Sequence, residues 1–213
     1  MARLRFRIAI SLDGYTAGPE QSVKNPLGIG GTRLHEWAFP LEAWRRPHGL
    51  KGGKVNESTP VFEELLANIG ATIMGRNMFG GGPGPWDEED PWNGWWGDNP
   101  PFHHPVFVLT RHPRAPLQLE GGTTFTFVTD GIRSAYDQAR RAANGKDVAL
   151  AGGADVTRQY LNAGMVDEMV LHLVPTLLGG GDRLFDGVTD LKGLKPVQTV
   201  AAADVTHLKF ARL

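Results

Sequence analysis

Cysteine is absent from the chain. This excludes a disulfide framework, a thiolate nucleophile and any cysteine-ligated metal. An excess of one charge is also missing. The 22 basic and 23 acidic residues leave a net charge of −1, which offers little to a nucleic acid or an anionic membrane. No stretch approaches the ~18 consecutive apolar residues of a membrane helix. The opening "MARLRFRIAISLDG" is basic and then apolar, but Arg5 and Arg7 break the apolar run and Asp13 closes it, so a signal peptide is not expected. The expectation is a soluble, cytoplasmic protein. Several catalytic signatures are lacking as well. No G-x-G-x-x-G follows a strand pattern. Gly53-Lys54 and Gly145-Lys146 lack the earlier glycine of a phosphate loop. "LHEWAF" holds one histidine, and G-x-S-x-G does not occur. His103-His104 before Pro105 reads as a solvated or locally hydrogen-bonded pair rather than a metal site.

What is present is an alternation. At 213 residues the chain is most simply one domain with a substantial core. Runs rich in Val, Ile, Leu, Phe and Thr predict strands at 7–12, 71–74, 106–110, 124–129, 147–151, 168–175, 197–202 and 205–211. Three helical patterns lie among them. In "STPVFEELLANIG", Thr59 is expected to cap, Pro60 to begin the helix and Gly70 to close it, with Val61, Phe62, Leu65, Leu66 and Ile69 on one face. "DGIRSAYDQARRAANG" carries a stripe of Ile132, Ala135, Tyr136 and Ala139. "ADVTRQYLNAG" carries Val156, Tyr160 and Leu161, with Gly164 as its stop. This order predicts an α/β fold with a mostly parallel sheet covered on both faces. "VAAADV" is too short for a crossover, so the last two strands should pair antiparallel at the sheet edge. Two long segments fall outside the pattern: a Gly-rich, polar one at 14–54, and 80–105, which holds four of the six tryptophans. Loops of such length in a compact domain are usually lids, binding loops or interfaces.

Three places join a predicted strand end to a turn or helix start with residues suited to phosphate. In "IMGRNMF", Gly75 permits close backbone approach and Arg76 offers a fork of donors. In "FVLTRHP", Thr110 supplies a hydroxyl and Arg111 a cation. In "LAGGADVTRQYL", Gly152-Gly153 precedes a helix whose first amides, Ala154, Asp155 and Val156, have no partner within the helix. Each could be merely structural. Together they are stronger, because ligands of parallel sheets bind at the carboxyl ends of the strands.

With "ISLDGYTAG" and "LHLVPTLLGGGDRLFDG", these motifs resemble the dihydrofolate reductase superfamily over nearly the whole chain. The closest likeness is to the reductase domain of the bifunctional riboflavin-biosynthesis deaminase-reductase and its stand-alone relatives. The resemblance implies a dihydrofolate reductase-like fold with a central sheet of about eight strands, mostly parallel, and an antiparallel C-terminal strand. It implies NADPH as cofactor and a homodimer. Ala17 and Gly18 would line the nicotinamide, and Gly75 and Arg76 would hold phosphate. Thr110 and Arg111 would meet the 2′-phosphate, while Gly152, Gly153, Ala154, Asp155 and Val156 would hold the pyrophosphate across a cis Gly-Gly peptide. One departure stands out. The carboxylate with which folate enzymes bind the pterin is replaced by Ser58-Thr59, with Glu57 just before and Glu63 and Glu64 within the helix.

The reaction expected is hydride transfer to a small polar heterocycle or a related C=N or C=O acceptor. Asp13, Glu57 or an ordered water would bring the proton, and the sequence does not choose among them. Asp13 is equally readable as a turn-forming residue before Gly14. An NADPH-binding sensor, an inactive reductase-fold module and a divergent dihydrofolate reductase are the alternatives.

Overall fold

A computed structural model describes residues 2–213. In chain order the strands are β1 (Leu4–Ser11), β2 (Tyr15–Ala17), β3 (Ile69–Gly75), β4 (Pro105–Leu109), β5 (Leu117–Gln118), β6 (Thr124–Val128), β7 (Asp147–Gly152), β8 (Glu168–Val174), β9 (Asp182–Arg183), β10 (Leu194–Ala201) and β11 (Thr206–Arg212). The α-helices are α1 (Glu42–Arg45), α2 (Ser58–Leu66), α3 (Arg76–Phe79), α4 (Gly131–Ala142) and α5 (Ala154–Asn162). Nine strands form one sheet in the order β10-β11-β8-β1-β7-β3-β4-β6-β5, and β2 and β9 form a separate ribbon. The six strands from β8 to β6 run parallel. The final pair β10-β11 is antiparallel at the edge, as the short connection requires, and β11 also runs antiparallel to β8.

The period-two pattern divides the sheet faces. Leu4, Phe6 and Ile10 of β1 join Ile73, Leu150 and Leu171 in a core covered by α4 and α5. Ala135 and Ala139 of α4 are fully buried there, as are Tyr160 and Leu161 of α5, and the Tyr160 hydroxyl donates to the carbonyl of Ile132 at 2.8 Å. The opposite face carries two separate clusters. One joins Ala9 and Val174 to Leu34, Trp37 and Leu41. The other places Trp86, Trp92 and Trp96 against Met74, Val106, Val108, Phe125 and Phe127. The tryptophan-rich segment thus packs on its own sheet over β3, β4 and β6.

Three expectations are corrected. The polar segment 14–54 holds β2, α1 and the buried side chains Leu34, Trp37 and Leu41, because a few apolar residues suffice to pin a polar stretch to the sheet. Thr59 does not cap α2: it lies inside the first turn, and its hydroxyl accepts the Asn56 amide at 3.0 Å. Gly70 belongs to β3, where an added Cβ would lie 2.4 Å from the Ala143 carbonyl oxygen, and Leu66 is exposed.

Candidate active site

The three junctions become neighbours. Strands β7, β3 and β4 are adjacent and parallel, Met74 registers with Gly152, and Gly75 registers with Leu109, the residue before Thr110. The turn after β1, with Asp13, adds a fourth strand end in sequence across the sheet. Gly75 is required by contact, since a Cβ there would come within 2.7 Å of Val156 Cγ2 on α5. Gly152 has φ +126, a conformation that favours glycine, and the Gly152–Gly153 peptide is cis. Gly153 differs. Apart from its chain neighbours, no protein atom lies within 4 Å of where its Cβ would sit, so packing does not demand a glycine there. Its missing side chain leaves bare space in front of the first turn of α5, where helix amides lack intrahelical acceptors. Unpaired amides at a helix start are in general able to receive an anion. Thr157 stabilises the turn by donating both its amide (3.1 Å) and its hydroxyl (3.0 Å) to the Gly153 carbonyl.

The cations beside this turn are arranged unevenly. Arg76 bends into the tryptophan-rich segment, donating to the Gly80 carbonyl at 3.0 Å and the Gly81 carbonyl at 3.3 Å. Its guanidinium carbon lies 3.2 Å from the Trp86 ring centre. Its Nη1 is enclosed with no partner. Burial lowers its pKa, and the neighbouring Arg114 adds to the effect. Arg114 was not foreseen: its guanidinium carbon also lies near Trp86, 5.1 Å from the ring centre, and it donates to the Trp92 carbonyl at 2.5 Å and Asn93 Oδ1 at 2.8 Å. No glycine or turn signal marked it. Two guanidiniums thus approach one indole beside an open cleft of about 410 Å³ lined by Pro85, Trp86, Asp87, His112 and Arg114. Arg111 is exposed, and the Thr110 hydroxyl accepts the His112 amide at 3.1 Å.

At the other end, Ala17 and Gly18 lie under main chain. A Cβ on Gly18 would meet the Ile29 carbonyl oxygen at 1.9 Å, and one on Gly181 would meet the Ala17 carbonyl oxygen at 2.0 Å. Asp13 anchors this region. Its carboxylate accepts the Ser11 hydroxyl at 2.6 Å, the Gly179 amide at 2.7 Å and the Leu178 amide at 3.1 Å. The Ser11 hydroxyl bond is the chief reason its pKa falls to about 2, with the backbone amides assisting against partial desolvation. Such a group is an anchor and remains ionised at neutral pH; it holds no proton to give. Glu57 is exposed at the start of α2 and makes no capping bond there. Next to Glu57 in sequence, Ser58 belongs to a polar cluster that the sequence did not reveal. His172 Nδ1 and His207 Nδ1 are 2.7 Å apart, and His207 Nε2 lies 2.9 Å from Ser58 Oγ, all three residues being buried. The Trp37 ring packs 4.8 Å from His172 and 5.1 Å from His207. The His103-His104 pair is split between unrelated partners. His103 Nδ1 lies 2.9 Å from the Gly121 carbonyl, and His104 Nε2 lies 2.7 Å from Thr72 Oγ1.

The model of the RibD C-terminal domain matches residues 2–209. The chain belongs to the RibD C-terminal domain family. Within reach of this family member is the uncharacterized protein YyaP of Bacillus subtilis (strain 168), 28% identical over 142 residues, which are 65% of this chain and 71% of that protein. In three dimensions it is similar to a putative riboflavin biosynthesis protein from Shewanella sp. PV-4, with TM-score 0.58, 20% identity and 99% of each chain covered. It is also similar to a dihydrofolate reductase from Enterococcus faecalis complexed with NADP(H), with TM-score 0.53, 14% identity, 99% of this chain and 96% of that one. At these identities the two structures establish a shared fold. The expected dihydrofolate reductase-like sheet is present, with nine strands where about eight were expected. Family and fold agree with each other.

Proposed function

We propose that this RibD C-terminal domain protein is an NADPH-dependent reductase that reduces a C=N or C=O bond in a small polar heterocycle or related acceptor. The observation that carries the reading is the bare space at Gly153, set before the first turn of α5 and between the ends of β3 and β1. It is an anion cradle that the protein's own packing does not explain. Gly153, Ala154, Asp155 and Val156 would hold the pyrophosphate through main-chain amides, with Gly75 letting α5 sit close. Arg111 and Thr110 would receive the 2′-phosphate, supported by Arg76 and Arg114. Ala17 and Gly18 would bound the nicotinamide. The cofactor, when bound, supplies the hydride. The chain's part is to orient the acceptor, exclude water and deliver a proton. Asp13 is fixed as an anion, so the proton comes from elsewhere. The enzyme of E. faecalis carries NADP(H) on the same fold, which supports this choice of dinucleotide.

The test is calorimetric titration with NADPH and NADH. Arg111→Ala should weaken NADPH by ~10- to 100-fold, the value of one charge-assisted contact, and NADH far less. No binding of NADPH by the wild-type protein, or equal losses for both dinucleotides in the variant, would remove this reading.

A further inference from the structure

Arg76 and Arg114 both spend their charge on the tryptophan-rich segment. Arg76 follows the glycine that ends β3, and Arg114 lies just beyond the end of β4. Arg76 donates from Nε to the Gly80 carbonyl and from Nη2 to the Gly81 carbonyl, and its guanidinium lies over the Trp86 ring. Arg114 donates to the Trp92 carbonyl and to Asn93 Oδ1. All four acceptors are neutral oxygens. The segment holds the consecutive acids Asp87, Glu88, Glu89 and Asp90, yet the Asp87 carboxylate accepts the amides of Glu89 and Asp90 instead. Arg76 is half-buried, its Nη1 is enclosed without an acceptor, and the charge of Arg114 acts against its own.

Trp86 joins two strand ends. Its ring takes Arg76 from the β3 junction, and its Nε1 donates to the His112 carbonyl beside the β4 junction. These two ends are in register, Gly75 with Leu109. The chain leading to Trp86 is free to move relative to its neighbours. Gly80 and Gly81 are fixed, because Cβ atoms there would lie 2.7 Å from Trp95 and 2.9 Å from Trp92. Gly82 and Gly84 have φ +75 and +86, and apart from chain neighbours nothing lies within 4 Å of where their Cβ atoms would sit. Trp92 and Trp95 are tied separately, donating to the Phe79 and Met78 carbonyls.

We propose, on the dinucleotide reading of this site, that Trp86 is a strap across the two junctions and that phosphate competes with it for Arg76. The strap and a 2′-phosphate are alternative partners of one guanidinium. The phosphate draws Arg76 away from the ring and the two carbonyls, and residues 82–88 loosen while Trp92 and Trp95 stay in place. Exchange is favourable because a bond to an anion is about twice as strong as one to a neutral carbonyl. Linkage is reciprocal, so weakening the strap must strengthen phosphate binding.

The experiment titrates the whole protein with NADP⁺ and NAD⁺, which differ by that phosphate. The ¹⁵Nε resonance of Arg76, identified by its loss in Arg76→Lys, should move with NADP⁺ and stay with NAD⁺. Amide hydrogen exchange at 82–88 should quicken by about 10-fold with NADP⁺ alone. Trp86→Leu removes the ring face and should tighten NADP⁺ by about 3- to 10-fold, with NAD⁺ unchanged. An Arg76 resonance indifferent to bound NADP⁺, slower exchange at 82–88, or weaker NADP⁺ binding by Trp86→Leu would overturn the proposal. The last result would make Trp86 part of the phosphate site rather than its competitor. Should Trp86→Leu fail to fold, the two wild-type measurements decide. Should NADP⁺ fail to bind the wild type, the reductase reading is lost, and inorganic pyrophosphate takes its place as the probe. A shift of the Arg76 resonance then sustains the competition, and no shift overturns it.

Discussion

Val156 fills the space that a side chain on Gly75 would need: a Cβ built on Gly75 lies 2.7 Å from Val156 Cγ2. The end of β3 and the start of α5 are thereby fitted to each other by the absence of one methyl group. Gly75→Ala should push α5 outward at a cost of ~1–3 kcal/mol, as overpacking does. NADPH affinity should fall with it. Val156→Ala combined with Gly75→Ala should recover a substantial part of both losses. Additive losses in the double variant, measured by chemical unfolding and calorimetry, would show that the two positions do not couple.

Asp13 offers a contrast between anchoring and catalysis. Its carboxylate holds the segment containing Leu178 and Gly179 to the end of β1. Asp13→Asn should loosen that segment, visible as faster amide hydrogen exchange at 178–181 and a raised KM. Because its folded pKa is about 2, the pH dependence of kcat between pH 5 and 8 should be unaltered in the variant. A titration lost from that range would assign Asp13 a proton-transfer role after all.

The buried histidine pair makes the stability of the fold depend on pH. Burial brings His207 to about 4 and His172 well below its ordinary value. The unfolded chain titrates near 6.5, so it binds more protons than the folded one between about pH 6.5 and 4. Stability is therefore full above about pH 7 and declines as pH falls through that window. For one histidine moved this far the loss is on the order of 2–3 kcal/mol. His207→Gln keeps a partner for Ser58 and removes the titration, so its melting temperature should change less between pH 7 and 4.5. Equal slopes for variant and wild type would place the acid sensitivity elsewhere.

Dihydrofolate should be a poor acceptor. The positions at the start of α2 are Ser58 and Thr59, both buried, and the Ser58 hydroxyl is engaged by His207. The adjacent acid, Glu57, is exposed. A neutral hydroxyl cannot replace a carboxylate that takes two donors of the ring, and an unmatched buried donor costs ~1–3 kcal/mol or more. NADPH oxidation with saturating dihydrofolate should run at least ~100-fold below the ~10 s⁻¹ typical of enzymes. A rate near ~10 s⁻¹ would restore Glu57 as the binding acid.

What could be read in advance followed from periodicity. All eight predicted strands exist, as do the three helices, because each repeats its apolar residues over several positions. β5 and β9 span two residues each and β2 three, too short to show a period. Leu34, Trp37 and Leu41 recur at helical spacing, a usable cue masked by the glycines and charges around them. The glycine junctions were legible because backbone geometry is encoded locally. The polar cluster was not. His172 looked like one residue of an apolar strand, and its partners lie 35 positions away and, through His207, a further 149. Arg7 registered only as a break in a hydrophobic run. Whether a partly buried charge has a partner depends on contacts that no local pattern carries.

The main-chain contacts among Gly18, Gly28 and Gly181 carry a consequence for how such a protein can diversify. Added Cβ atoms there would lie 1.9, 2.1 and 2.0 Å from backbone carbonyl oxygens. This part of the fold is built from backbone lying on backbone, so no side chain can be added at these glycines without parting the segments that meet there. Variation in shape must then arise where side chains meet side chains, as Arg7, Trp37, Phe62 and His172 do, because these can be exchanged one at a time.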